Sequence, residues 1–142
     1  MTVTQRIRGW IGGDQGKAEA PPTYVVVVPP WSQVTVADLY AEGYRVSAAL
    51  LPWLDRPQAE WPASMWFATG VQGVFDWIAG GKSPFPGDPP ATLENVARGI
   101  AVLERLPHDG TPGSWVLRGT CAALLWLIGE SREVTYPVSS AA

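Results

Sequence analysis

The sequence predicts a mainly helical, four-helix domain with an N-terminal strand or extended arm. Three observations predict it. Four stretches place apolar residues at helical spacing between Thr, Ser or Pro starts and Gly or Pro stops. A single run, TYVVVV at residues 23–28, has the β-branched density of a strand. The 142-residue length suits one domain, and a chain of that size buries roughly two thirds of its unfolded surface.

The elements follow in chain order. Residues 1–22 read as a flexible or docking N-terminal segment and linker, and residues 23–142 as a single helical domain. Within 2–11, Val3, Ile7, Trp10 and Ile11 fall on one helical face beside Arg6 and Arg8, which suits a short docking helix. Residues 12–22 hold three Gly and two Pro and read as a tether. Gly12, Gly13, Gly16 and Lys17 superficially suggest a phosphate loop. The pattern fails, because Ile11 stands at the first required glycine and Ala18 follows the lysine where a hydroxyl would hold magnesium.

The valine strand ends at Pro29 and Pro30, which cannot donate ladder bonds. A lone strand is unstable, so it must pair with another part of the chain, a second copy or a partner. EVTYPV at 133–138 is a candidate short C-terminal strand to receive it. Thr35 caps a first helix over 36–51, with Asp38 in its first turn and Pro52 ending it. A second helix covers 63–79 and stops at Gly80 and Gly81. Thr92 caps a third over 92–106, with Leu93, Val96, Ala97, Ile100 and Leu103 on one stripe. Ser114 is expected to cap a fourth over 114–128, stopped by Gly129.

Two of these helices repeat a pattern. GVQGVFDWIAGG at 70–81 aligns with GTCAALLWLIGE at 119–130 after a shift of 49, matching Gly70 with Gly119, Trp77 with Trp126 and Gly80 with Gly129. A glycine well before a Trp lets a neighbouring backbone approach, and a closing glycine takes the left-handed cap without steric cost. Such a spacing suggests duplicated helical hairpins or pseudo-symmetric packing. RGTCAALLWLIGE at 118–130 also resembles a helix ending in small uncharacterised proteins of actinobacterial genomes, phages and mobile elements. That resemblance implies a context, an accessory protein of a phage or mobile element, and transfers no activity. The eight Arg against two Lys, with abundant Ala, Gly and Pro, read as GC-rich coding of the same origin.

Chemistry-bearing residues are sparse. Cys121 is the sole cysteine, which excludes an internal disulfide and a multi-cysteine zinc site. His108, the sole histidine, sits beside Asp109 in PHDGTPG, but Cys121 lies in an apolar helical setting that suits an inert thiol. The carboxylates show no D-x-D run and no metal spacing, so no catalytic, cofactor or metal residue is assigned. A net charge of −3 with ten basic residues argues against a broad nucleic-acid face. The seven-residue, two-proline connection at 107–113 is too long for a helix-turn-helix. No secretory or membrane-spanning pattern is read, so a soluble, cytoplasmic protein is expected.

The remaining signal is eight tryptophans in a chain with 16% charged residues. More indole surface than a small core can hide predicts a protein–protein interaction or assembly module, partnered by itself or another protein. The expected anchors are Tyr24, Val26, Val28 and Trp31 of the arm, through strand addition, together with Trp53, Trp61 and Trp66, which sit beside prolines or at helix entries. The alternatives are a Trp-lined small-molecule pocket or enzyme closed by the loop 82–90, and a DNA-binding regulator.

Overall fold

The computed structural model describes residues 28–137. Four helices carry the fold, α1 (Val36–Leu50), α2 (Ala63–Ile78), α3 (Leu93–Arg105) and α4 (Pro112–Leu127), with two short 3-10 turns between α1 and α2. No strand occurs among the described residues. Residues 133–137 of the candidate C-terminal strand form an irregular tail, and of the expected valine strand only Val28 lies within the described residues.

Local chemistry sets the helix limits. Thr35 accepts from the Asp38 N–H at 3.1 Å, and the Asp38 carboxylate accepts from the Thr35 N–H at 2.9 Å. These reciprocal bonds satisfy two otherwise orphaned donors and hold the Asp38 carboxyl below its ordinary range. Thr92 caps α3 through the Asn95 N–H at 3.2 Å. The fourth helix begins two residues earlier than expected. Thr111, not Ser114, is its cap, and Pro112 opens the first turn. Proline suits that position, since its fixed φ is helical and its missing N–H would have had no partner.

The 49-residue repeat is structural as well as textual. Both ends of α2 and α4 are displaced by 49. Their closures match bond for bond. Gly80 donates to Trp77 O at 3.0 Å and Gly81 to Asp76 O at 2.7 Å, while Gly129 donates to Trp126 O at 3.1 Å and Glu130 to Leu125 O at 3.0 Å. Gly80 and Gly129 take φ of +90° and +82°. The caps Thr35 and Thr92 are 57 apart rather than 49, so the first hairpin's span from cap to second helix carries eight extra residues. Gly80→Ala is expected to cost about 1 kcal/mol from left-handed strain alone. Gly129→Ala should cost more, because its Cβ would also meet Gln33 Cγ at 3.1 Å. Urea midpoints of the two variants check the order.

Helices α2 and α4 form the central seam and run side by side in the same direction. Midway, a Cβ on Gly70 would overlap the Val116 carbonyl, and one on Gly119 would overlap the Phe67 carbonyl. The two contacts interchange under the shift of 49, which gives the seam a pseudo-twofold relation. Farther along, Phe75 meets Trp126 with ring centroids 6.1 Å apart. Val71, Val74, Ala123, Leu124 and Leu127 fill the core around the seam.

Helix α1 packs on α2 and α3 on α4, each through the apolar stripe that its sequence carries. Leu39, Val46 and Leu50 supply the α1 stripe, and Val96, Ile100 and Leu103 that of α3. Leu93 and Ala97, expected on the buried stripe of α3, are exposed. The buried face includes Gly99 instead, where the Phe85 ring of the preceding loop lies against the helix backbone.

Candidate functional site

The clearest concave feature runs along the outer face of α4. Its floor includes Ser114, Leu117, Arg118, Cys121 and Leu125. One wall is the end of α3 and the turn after it, through Leu103, Glu104, Leu106 and His108. The other wall is the tail, through Ser131, Glu133 and Thr135. The groove encloses about 390 Å³ and is partly open to solvent. Leu106 and Leu117 keep 45% and 40% of their surface exposed, and Val102 on α3 keeps 56%.

The tail is held in place by a polar clamp on α1. Glu42, only 4% exposed, accepts from Tyr136 OH at 2.8 Å and from Arg45 Nη1 at 2.9 Å. Arg45 also donates to Val134 O at 3.0 Å and lies over the Tyr136 ring. The same ring packs edge-on against Phe67, 5.4 Å between centroids. Burial pushes the Glu42 carboxyl up, against the opposing pull of Tyr136 and Arg45. Burial, reinforced by the Glu42 charge, pushes the Tyr136 phenol well above its ordinary value. A buried carboxylate with both oxygens bonded is stable only while its partners stay, so the clamp fixes the groove's second wall.

Pseudo-symmetry shows what is unusual about this face. The positions of α2 equivalent to Ser114, Leu117 and Cys121 are Met65, Ala68 and Gln72, and all three are buried. Ala68 has no exposed surface, against 40% for its counterpart Leu117. Ser114 is buried as well and Cys121 is half-buried, so the contrast between the two hairpins lies at Leu117.

His108 and Cys121 both line the groove, and no hydrogen bond joins them. His108 packs edge-on against Trp115 at 4.4 Å between centroids. Burial, with Glu104 next, pushes the Cys121 thiol up, which favours the protonated and unreactive form. Among the described residues no group of three His, Cys, Asp or Glu gathers to hold a metal ion. A second cleft of about 400 Å³ between α1 and the α4 end presents charges of both signs, among them Asp38, Arg45, Arg132 and Glu133.

The residues expected as anchors lie elsewhere. Tyr24 and Val26 fall outside the described residues, and Val28 is half-buried against the core. Trp31, Trp53, Trp61 and Trp66 are also half-buried. Trp31 Nε1 donates to Ala91 O at 3.1 Å, tying the segment before α1 to the start of α3. Trp61 Nε1 donates to Trp53 O at 2.8 Å and to Arg56 O at 3.1 Å, and its ring meets Trp66 at 4.8 Å. Arg56 lies over Trp53. These rings stitch the long α1–α2 connection. The exposed large apolar side chains of the described residues include no tryptophan. Sequence reasoning missed Leu106, which lies just past the end of α3, and Leu117, which falls outside the buried residues of α4.

No protein-family model matches the chain, and neither a curated protein nor a solved structure does so significantly. Among the described residues no helix is long and apolar enough to cross a membrane.

Proposed function

We propose that the protein is a non-enzymatic interaction or assembly module, which takes an amphipathic helix of a protein partner into the groove along α4. The observation that carries this is the groove itself with two exposed leucines, Leu106 after α3 and Leu117 on α4, the second equivalent to the buried Ala68 of the first hairpin. Grooves of this form recognise apolar residues spaced one helical turn apart. Covering the two leucines removes apolar surface from water, worth about 25 cal/mol per Å². Trp53, Trp61, Trp66 and the arm at Tyr24, Val26, Val28 and Trp31 remain the secondary surface of this reading. The setting is that of a cytoplasmic accessory protein of a phage or mobile element, a reading supported by the helix ending at 118–130.

The test is sedimentation velocity and quantitative capture with the full chain, comparing wild type with Leu106→Glu/Leu117→Glu and with Val36→Ser. Val36 is exposed and does not border the groove. Burying two charges in a docked interface is expected to weaken association by about tenfold or more, with Val36→Ser unchanged. Equal association of all three proteins overturns the reading.

A further inference from the structure

The groove has a candidate occupant within its own chain. Its floor from Ser114 to Leu125 spans about 16 Å at 1.5 Å per residue. Residues 2–11, as a helix, span about 15 Å by the same rise. Val3, Ile7, Trp10 and Ile11 fall on one face of that helix, and Arg6 and Arg8 fall on its opposite flanks. The groove supplies the complement. Apolar Leu106, Leu117 and Leu125 line it, and an acid stands on each wall, Glu104 on the α3 side and Glu133 on the tail side. Segment 2–11 carries no acid to pair with Arg118, the cation of the floor, so the charge match is that of Arg6 and Arg8 with the two wall acids.

The tether fits as well. Gln33 N–H donates to Leu127 O at 2.8 Å, so the described chain starts at the α4 end nearest Leu125 and Ser131. Ser131 and Glu133 border both the groove and the cleft that holds Gln33. Residues 12–27 reach up to about 50 Å when extended, several times the length of the groove.

We propose that residues 2–11 of the same chain occupy the groove along α4 as an amphipathic helix and cover it until a partner helix displaces them. The proposal rests on the reading of the groove as a docking surface. A short tether gives the segment an effective concentration in the millimolar range, so a weak contact suffices to keep it home and a stronger partner can compete. The covered state keeps Leu106 and Leu117 out of water in the absence of a partner.

Cys121 on the floor provides the test. Ile7→Cys in the full chain puts a second thiol on the apolar face of the segment, and Gln5→Cys puts one on the opposite face. Each variant is treated with oxidised glutathione and followed by non-reducing electrophoresis and intact mass. Ile7→Cys is expected to close an intramolecular disulfide about tenfold faster than Gln5→Cys, as a docked thiol at high effective concentration should. Adding Leu117→Glu to Ile7→Cys should remove the advantage. Equal, slow closure in both variants overturns self-occupancy. Disulfide-linked dimers whose yield rises with protein concentration also overturn it, by assigning the segment to the groove of a second copy. Neither outcome touches the docking reading, which the groove variants of the capture experiment decide independently.

Discussion

Gly70→Ala and Gly119→Ala are each expected to lower stability by about 3 kcal/mol, the upper range for overpacking a well-filled core. For a domain of this size that corresponds to a fall in Tm of roughly 10 °C. The reason is geometric. Each added methyl would strike a backbone carbonyl of the facing helix, and backbone cannot rotate aside as a side chain can. The helices must separate, and the rings and valines along the seam lose their contacts with them. Gly73→Ala supplies the control on the same helix, since a Cβ there meets nothing within 4 Å. It should stabilise by about 0.5–1 kcal/mol through helix propensity. The double variant should fall short of the sum, because the first methyl already opens the seam for the second. Thermal unfolding of the four proteins checks all of this. A Gly70→Ala protein as stable as wild type would refute the close crossing.

Tyr136→Ala is expected to cost about 3 kcal/mol, the low end for removing a buried aromatic because the ring is only half-buried. It also leaves Glu42 without one of its two partners. Tyr136→Phe keeps the ring against Phe67 and should cost about 1.5 kcal/mol, the loss of one hydrogen bond to a charged group. Hydrogen exchange should show the tail at 131–137 opening in the alanine variant while α2 and α4 stay protected. The clamp also predicts a pH dependence. The folded phenol holds its proton above the ordinary value of 10.0. Above that pH the unfolded chain binds fewer protons than the folded one, so stability falls as pH rises. Tyr136→Phe should flatten this alkaline limb. Glu42 acts in the same direction at lower pH. Its raised carboxyl favours the folded state most when protonated, so its contribution declines as pH climbs past the ordinary 4.5.

The helices were legible because their signals are local. Thr35 and Thr92 cap where a hydroxyl before an apolar stripe should, and Gly80 and Gly129 stop the chain where a left-handed residue is required. The Gly70 and Gly119 match was visible in the letters, although only the fold shows the two glycines facing each other's helix. The groove was not legible. Its walls come from residues 103–108 and 131–135, and its second wall depends on a bond between Glu42 and Tyr136, 94 positions apart. No periodicity reports such a meeting. The tryptophan argument counted indole surface without the local bonds that fasten it. Trp61 folds back onto Trp53 O and Arg56 O within its own connection, which a tally of aromatic residues does not reveal.

The glycine seam has a consequence for synthesis. Gly70 lies against Val116 and Thr120, nearly fifty residues downstream, so the first half of the chain leaves the ribosome with its tightest-fitting surface unmatched. At 5–20 residues per second the wait is roughly 2–10 s, long against the microseconds in which a helix forms. The nascent first hairpin must therefore persist, complete yet unclosed, until its sibling arrives.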